Sequence, residues 1–414
     1  MEQSISSRFA FDDSVRNEAK ICVVGIGGGG GNAINNMLER GIHGVDFIAI
    51  NTDAQALAAN QAPIKIQVGR NLTKGLGAGA RPAVGAQAVE ESREEIEQAL
   101  KGYDMVFITA GMGGGTGTGG APVVAAITRK LGILTVAIVT KPFECEGAKR
   151  MKTALDGIAL LKENVDTLIV IPNERLLDIS DDKTTLLEAF AKADEVLYNA
   201  VRGISDLITV HGLINLDFAD VKTTMQGGGT AIMGSAVATG ENRAEKAAIA
   251  AISSPLLDGL SISGARNVLV NITAGRSLGI REATTAVRII QQEAGEDVEV
   301  IFGTVIDDSM GDELRVTVIA TGFDRERRPE TVGRRRTVAL EPEEPYVNYK
   351  GEENLKRLDT PAFERRTLPL AGDTERLGNI RRLHADELKE RDERIRKDNK
   401  DNLDTPAFLR KMMD

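Results

Sequence analysis

The chain has 414 residues, which is too long for one typical domain and predicts two folded domains with accessory segments. Hydrophobic residues make up 42% of the sequence and aromatic residues only 4%, so a sizeable core must be filled by aliphatic side chains and alanine. The net charge of −10 argues against nucleic acid as the main partner, because phosphate backbones bind to basic surfaces.

Disulfides, metal clusters and membrane segments are also disfavoured by the composition. The two cysteines fit a reducing compartment, and the three histidines are scattered without ligand spacing. The N-terminus lacks the apolar core of a signal peptide, and no run of about 18 apolar residues occurs. The sequence therefore predicts a cytoplasmic protein in which side chains alone fix no metal.

After a polar arm at residues 1–18, the first predicted element is a buried strand at 20–25. A glycine-rich stretch and a helical run follow it, and the pattern G-x-G-x-x-G occurs at Gly25, Gly27 and Gly30. Asp53 follows the next strand, where the ribose-binding acid of a dinucleotide-binding fold would stand. An NAD-dependent oxidoreductase is therefore one interpretation of this segment.

Two further glycine-rich segments occur at 74–82 (KGLGAGARP) and 110–120 (AGMGGGTGTGG). The second lies between a strand-like run at 105–109 and a helix-like run at 121–131. Glycine lets the backbone approach a ligand closely, and the amides and dipole of a helix start attract anions, so this segment is suited to binding phosphate. The alternative is a tight strand-to-helix turn, for which one or two glycines suffice.

Predicted strands and helices alternate through the first half of the chain. The helical runs lie at 84–100 and 148–161, and further strands lie at 133–140 and 167–171. Alternation at about 30-residue intervals predicts a parallel sheet with helices on both faces. The glycine-rich segments then stand at the carboxyl ends of strands, where ligands of such sheets bind.

The longest periodic run, residues 185–210, predicts a helix of roughly 39 Å with one apolar face. The segment 211–221 (HGLINLDFADV) follows it and carries Asp217 and Asp220 at a predicted helix start. Their spacing would project both carboxylates from one face of the helix. The alternative is that they cap the helix and complement its dipole.

The last third of the sequence predicts a smaller mixed domain and then a disordered segment. Strands are predicted at 267–273, 298–306 and 313–321, and helices at 243–253 and 280–293. Beyond residue 322 the chain is highly charged with few apolar side chains, which cannot offset the entropy of ordering it. Apolar residues return only at 402–414, which predicts a short peptide that folds when it docks on a partner.

The glycine-rich loop at 113–119 (GGGTGTG) is not a P-loop, because no G-x-x-x-x-G-K-[ST] occurs in the chain. The loop resembles the signature of the tubulin/FtsZ superfamily of self-assembling GTPases. With the other motifs, the similarity to the bacterial cell-division FtsZ family covers residues 20–323 and 402–414. It implies a GTPase with GTP, GDP and Mg²⁺ as ligands, which polymerises head to tail into cytoskeletal filaments of the division ring at midcell and hydrolyses GTP at the subunit interface.

Taken together, the sequence and the resemblance predict an α/β protein in six parts. These are a flexible N-terminal arm (1–18), a parallel-sheet GTP-binding domain (19–184), a long central helix (185–210), a smaller α+β domain with a mixed sheet (211–323), a disordered charged linker (324–401) and a partner-binding tail (402–414).

By similarity to the family, three groups of residues contact GTP. Contacts with the phosphates and the sugar side are implied for Gly28, Gly29 and Asn32, and the loop that senses the γ-phosphate is implied to be Ala78, Gly79 and Ala80. Further phosphate contacts are implied for Gly114, Gly115, Thr116, Gly117 and Thr118. Ribose contacts are implied for Glu146 and Arg150, and guanine contacts for Asn173, Phe190 and Asp194. The chemistry agrees, since a carboxylate accepts from guanine N1–H and N2–H₂ together and a phenyl ring stacks on the base. Arg81 departs from the family, which usually has Asn or Asp there.

Hydrolysis is implied to need a second subunit. Asn215, Asp217 and Asp220 match the family's synergy loop, which enters the nucleotide pocket of the next subunit. The nucleotide-binding segments contain no evident general base, so these acids would orient water and help to place Mg²⁺ beside the γ-phosphate. A static GTP-binding scaffold is the alternative, and the three intact residues speak against it.

The tail matches the family's C-terminal peptide, which binds FtsA-like or ZipA-like membrane tethers and regulators. The resemblance implies apolar contacts by Leu403, Pro406, Phe408 and Leu409 and charged contacts by Arg410 and Lys411. The motif LDTPAF also occurs at 358–363, which predicts a second, weaker docking segment. Neither nucleic acid nor direct insertion into a membrane is expected.

Overall fold

The computed structural model describes residues 19–323, apart from residues 179, 181–182, 211 and 215. The predicted arm at 1–18, linker at 324–401 and tail at 402–414 lie outside the described residues, as do the inner LDTPAF copy and the six tail residues named above. The described part contains ten strands and eleven α-helices.

The strands and helices alternate in the first half of the chain and then become mixed. The strands are β1 Ile21–Ile26, β2 Val45–Asn51, β3 Ile64–Gln67, β4 Met105–Gly111, β5 Leu134–Lys141, β6 Thr167–Pro172, β7 Gly229–Ala238, β8 Asn267–Ala274, β9 Glu299–Ile306 and β10 Leu314–Thr321. The helices are α1 Gly27–Glu39, α2 Ala54–Ala59, α3 Arg70–Thr73, α4 Pro82–Glu91, α5 Arg93–Leu100, α6 Thr116–Lys130, α7 Ala148–Lys162, α8 Leu186–Thr209, α9 Phe218–Met225, α10 Arg243–Ile252 and α11 Ile280–Ala294.

All ten strands join one sheet in the order β3-β2-β1-β4-β5-β6-β7-β10-β8-β9. Neighbours are parallel from β3 to β7 and between β8 and β9, whereas β10 runs antiparallel to both β7 and β8. The predicted fold class, a parallel sheet followed by a mixed one, is confirmed.

Both faces of the parallel part are buried, which is why its strands read as continuous apolar runs. In β1, Ile21 and Val23 pack with side chains of α1 and α8, whereas Cys22 and Val24 pack on the other face with side chains of α4, α5 and α6. The site described below therefore rests on a rigid two-sided core.

Helix α8 runs across this sheet from the carboxyl ends of its parallel strands, the carboxyl edge, to their amino ends, the opposite edge. Its start is held by a capping box, in which the Thr185 hydroxyl accepts from the Glu188 amide at 3.3 Å and the Glu188 carboxylate accepts from the Thr185 amide at 2.7 Å. Phe190 in its first turns contacts Phe143, just beyond the carboxyl end of β5. Thr209 at its end lies against Gly44, just before the amino end of β2. Its 24 residues span about 36 Å.

Two helices begin earlier than the sequence predicts. Helix α1 begins at Gly27 and α6 at Thr116, so glycines expected to form loops occupy the first helical turns. Glycine disfavours a helix by about 1 kcal/mol relative to alanine, which is the basis of that expectation. Packing requires them here, since a Cβ on Gly117 would lie 2.8 Å from the Gly111 carbonyl oxygen and one on Gly120 would lie 2.8 Å from Val89 Cγ2.

Arg243, the first residue of α10, is a buried cation in the second half of the chain. Its side chain is 4% exposed and donates to both carboxylate oxygens of Glu282 at 2.8 and 3.0 Å. It also donates to Ser277 and to Asp312. One guanidinium therefore joins α10 to α11, to the loop before α11 and to the turn before β10.

We expect Arg243→Met to lower the free energy of unfolding by about 3 kcal/mol, because it removes a buried, multiply hydrogen-bonded cation and leaves the partly buried Glu282 carboxylate without its charged donor. Arg276→Met is the matched control, since Arg276 makes a similar two-bond pair with Asp308 on the surface, where the arginine is 83% exposed. Urea denaturation of both variants measures the difference. Equal losses in the two proteins would show that burial does not set the contribution of Arg243.

Candidate functional site

Two glycine-rich helix starts lie side by side at one edge of the sheet. Strands β1 and β4 are parallel neighbours with Ile26 opposite Ala110, and α1 and α6 begin just beyond their carboxyl ends. A Cβ on Gly27 would lie 2.9 Å from the Gly117 nitrogen, so the two backbones approach more closely than side chains allow. One anion-binding site therefore faces two sets of unpaired helix-start amides and the positive ends of two helix dipoles.

The space in front of these helix starts is open. A Cβ on Gly28 or on Gly114 would meet no atom within 4 Å. Gly28, Gly29 and Asn32 are exposed. These residues are all predicted to contact phosphate, and they line a binding site that is open to a ligand.

The two threonines of the loop use their hydroxyls within the protein. Thr116 shares a 2.6 Å hydrogen bond with Thr52, and the Thr118 hydroxyl accepts from the Gly113 amide at 2.8 Å. Both side chains are buried. These hydrogen bonds fix the conformation of the loop. The backbone of both threonines lies in the first turn of α6, at the open start of that helix. The sequence offered no signal for Thr52, because this contact joins segments far apart in the chain.

The third glycine-rich segment packs against the second. A Cβ on Gly115 would lie 2.7 Å from the Ala78 Cβ and 3.0 Å from the Arg81 nitrogen. Ala78 is buried, whereas Gly79 and Ala80 are exposed and adopt φ of 59° and 55°. Because Leu76 pairs with Asp53 in a β-bridge, the segment lies on the β2 side of the helix starts.

Asp53 caps a helix, which removes the basis for the oxidoreductase interpretation. Its carboxylate accepts from the amides of Gln55 and Ala56 at 2.9 and 3.1 Å, so it is the N-cap of α2. Helix capping therefore explains why an acid follows this strand, and no contact with a ribose is needed.

Glu146 and Arg150 form an ion pair beside the glycine-rich loop, at the end of β5. The two side chains approach to 3.2 Å, and Glu146 also accepts from the Phe143 amide at 2.9 Å. Arg150 packs on the loop, since a Cβ on Gly113 would lie 2.7 Å from Arg150 Cγ. The predicted ribose pair therefore stands next to the predicted phosphate loop.

A polar side chain lies at the end of β6 and an aromatic one at the start of α8. Asn173 directly follows β6, is 4% exposed, and its Oδ1 has no hydrogen-bond partner among the described residues. Phe190 is 40% exposed and meets Phe143 edge to face with ring centroids 5.3 Å apart. A buried acceptor without a donor and an uncovered ring are both features that a planar ligand would satisfy.

Asp194 lies one turn after Phe190 on α8. Burial raises the pKa of its carboxyl to about 6, and no cation among the described residues offsets that effect. At neutral pH this carboxylate is mostly ionised, partly buried and short of donors. A ligand that presents N–H groups would compensate it.

These groups follow one another along the carboxyl edge of the parallel sheet. The strand order is β3-β2-β1-β4-β5-β6. The predicted guanine contacts therefore lie at the β6 side, the Glu146–Arg150 pair at β5, the two glycine-rich helix starts at β4 and β1, and the segment 74–82 at β2. The order suits an elongated ligand with a planar ring at one end and anionic groups at the other.

The predicted catalytic acids lie at the opposite edge. Asp217 is the N-cap of α9 and accepts from the Asp220 amide at 2.9 Å, and both side chains are exposed. The far end of α9 contacts the amino end of β6, where the Thr167 hydroxyl donates to the Met225 carbonyl. The structure therefore does not bring these acids to the glycine-rich loops of the same chain. Asn215 lies outside the described residues.

In the part of the chain that the structure describes, no three His, Cys, Asp or Glu side chains form a group able to hold a metal ion. None of the described helices is long and apolar enough to cross a membrane.

Two family models and several solved structures match this chain. Residues 20–181 match the GTPase domain of the Tubulin/FtsZ family, and residues 229–324 match the C-terminal domain of the FtsZ family. An empty FtsZ dimer from M. jannaschii is 48% identical, with a TM-score of 0.72 over 74% of this chain and 89% of that chain. CetZ2 from Haloferax volcanii, solved as a GTPγS-bound protofilament, is 24% identical, with a TM-score of 0.62 over 75% of this chain and 95% of that chain.

Proposed function

Because the chain belongs to the FtsZ family of tubulin-like GTPases, we propose that it assembles head to tail into cytoskeletal filaments of the cell-division ring and hydrolyses GTP between subunits. The observation that carries this proposal is the separation of the two halves of the site. The glycine-rich loops lie at one edge of the sheet, and Asp217 and Asp220 lie at the other, about the length of α8 away.

GTP binds along the carboxyl edge in this proposal. Asn173, Phe190 and Asp194 recognise guanine, Glu146 and Arg150 contact the ribose, and the amides of the glycine-rich helix starts hold the phosphates. Guanine has N–H donors at N1 and N2, which match the partly buried Asp194 carboxylate that lacks donors among the described residues. Support for GTP as the ligand also comes from CetZ2, which was solved with GTPγS.

Hydrolysis requires the opposite edge of a second subunit. Asp217 and Asp220 are exposed and free to enter a neighbour's nucleotide site, where they orient the attacking water. Mg²⁺ would arrive with the phosphates, since oxygen donors are its preferred ligands. A contact between two different edges is heterologous and produces open filaments.

Exposed apolar side chains flank the acids. Leu213 is 70% exposed and Ile214 is 41% exposed. The Ile214 amide donates to the Thr304 hydroxyl at 3.0 Å, and the Ile214 carbonyl accepts from the Thr304 amide at 3.1 Å. An apolar pair beside two acids on an anchored loop is suited to pack against another subunit.

We expect the specific rate of phosphate release to depend steeply on protein concentration, because a subunit without a neighbour lacks the acids. Below a critical concentration the wild-type protein should bind GTP without releasing phosphate, and above it the rate should rise with polymer mass. Phosphate assays and sedimentation over the same dilution series measure both. A constant specific rate down to the lowest concentration would contradict hydrolysis between subunits.

In this proposal the filaments work in the cytoplasm at midcell, and the tail at 402–414 attaches them to FtsA-like or ZipA-like membrane tethers. Its support is the apolar and basic composition of that peptide on a charged linker.

A further inference from the structure

Arg81 stands at the far end of the candidate site from the base-recognising residues. It is the N-cap of α4, and its amide donates to the Ala78 carbonyl at 3.2 Å. Its own carbonyl accepts from the amides of Val84 and Gly85. A Cβ on Gly115 would lie 3.0 Å from the Arg81 nitrogen, so the backbone of Arg81 is held against the glycine-rich loop.

The Arg81 guanidinium folds back over the exposed turn that precedes it. A Cβ on Gly79 would lie 3.8 Å from Arg81 Nε and 3.9 Å from Arg81 Nη2. The residue is exposed, and among the described residues its side chain makes neither an ion pair nor a hydrogen bond. An unpaired cation therefore stands beside the open anion-binding site.

The strand order decides which part of the nucleotide this cation would meet. Guanine recognition lies at β6 and the ribose pair at β5, whereas the segment that carries Arg81 bridges to β2. A nucleotide laid along this edge with its base at β6 therefore ends its phosphate chain at Arg81. A nucleoside diphosphate is one phosphate shorter and stops before it.

Charge balance points the same way. The glycine-rich segments supply amides and helix dipoles, which carry only partial charges. Arg150, the cation nearest the loop at Gly113, is already paired with Glu146. Beside any Mg²⁺ that arrives with the nucleotide, the terminal phosphate, the most highly charged part of the ligand, would then meet the full positive charge of Arg81, whose guanidinium lies over Gly79.

We propose that Arg81 binds the terminal phosphate of GTP and makes the site selective for the triphosphate over the diphosphate. This inference rests on the proposed function, since it takes GTP as the ligand. The guanidinium gains a partner when GTP binds and loses it when the terminal phosphate leaves, which lowers the affinity for the product.

Competition binding at a protein concentration at which sedimentation detects no polymer tests this assignment. Arg81→Ala should weaken binding of a slowly hydrolysed GTP analogue about 10-fold to 100-fold, the loss typical of one charge-assisted contact, and should change GDP affinity less than about twofold. Arg81→Lys should recover part of the loss, because it keeps the charge without the planar fork. Arg70→Ala is the matched control, since Arg70 is an exposed cation at the start of α3 that makes no ion pair with any described residue.

The inference is overturned if Arg81→Ala weakens both nucleotides equally, or neither, while the thermal melts match. It is also overturned if Arg70→Ala lowers the affinity for the GTP analogue as much as Arg81→Ala does. If the wild-type protein binds neither nucleotide, the proposed function itself fails, and that outcome is distinct from the other two.

Discussion

Asp217→Asn should bind GTP with wild-type affinity and release phosphate at less than about one hundredth of the wild-type rate at saturating protein, a loss typical of removing a group that acts on the attacking water. Asparagine caps a helix as well as aspartate does, so α9 and its 2.9 Å contact to the Asp220 amide are retained while the charge is lost. The substitution therefore separates the two interpretations of this acid. A role limited to capping would leave the rate unchanged.

Asp220→Ala should have a comparable effect on turnover. Asp220 is exposed in the first turn of α9. Glu245→Ala is the matched control, because Glu245 is an exposed first-turn acid of α10. Nucleotide affinity, polymer yield and phosphate release should be measured on the same preparations. Normal turnover per polymerised subunit in the Asp220 variant would remove that residue from the mechanism.

Asp194→Asn should lower GTP affinity at least about 100-fold and favour xanthosine triphosphate, because the side-chain amide then offers one donor in place of an acceptor. Guanine presents a donor at N2, whereas xanthine presents a carbonyl oxygen there. Competition between GTP and xanthosine triphosphate on wild type and variant measures the switch. Equal preference in the variant would mean that Asp194 does not contact the base.

The same substitution should stabilise the nucleotide-free protein at pH 7. Burial raises the pKa of the Asp194 carboxyl to about 6, so above pH 6 the folded protein holds an ionised group that its surroundings disfavour. A neutral amide removes that cost.

For the wild type, GTP affinity should fall as the pH is lowered through about 6, since the protonated carboxyl accepts poorly, and the variant should lack this step.

The sheet was predictable because its strands are buried on both faces. The runs behind β1, β4, β5 and β6 are mostly apolar and almost free of charged residues, and glycine stretches mark the ends of β1 and β4. Strand β3 was missed because Ile64 and Lys65 are exposed and the strand has only four residues. The predicted helix at 84–100 is two helices that meet at Ser92, where ψ is 18°, and no proline or glycine signals the break.

The composition of the site was readable, but its geometry was not. The residue types and the family resemblance indicate the guanine contacts, yet only the structure shows that Asn173 Oδ1 lacks a partner and that Arg81 folds over Gly79. The hydroxyls of Thr116 and Thr118 are used inside the loop, which residue type alone does not reveal. The position of Asp217 at the far edge depends on the direction in which α8 crosses the sheet.

The central claim is that each active site is built from two subunits, and a mixing experiment tests it most directly. Gly28→Leu should block the anion-binding site without disturbing the fold, since a Cβ there meets no protein atom within 4 Å. Its acids remain intact, whereas Asp217→Asn keeps an intact pocket. In an equal mixture, about one contact in four joins intact acids to an intact pocket.

Each variant alone should release almost no phosphate, and the mixture should recover up to about a quarter of the wild-type rate. Sedimentation of both variants in one pellet shows that they share filaments. If the two variants pellet together and the mixture stays inactive, the acids do not serve a neighbour's nucleotide, and hydrolysis between subunits is contradicted.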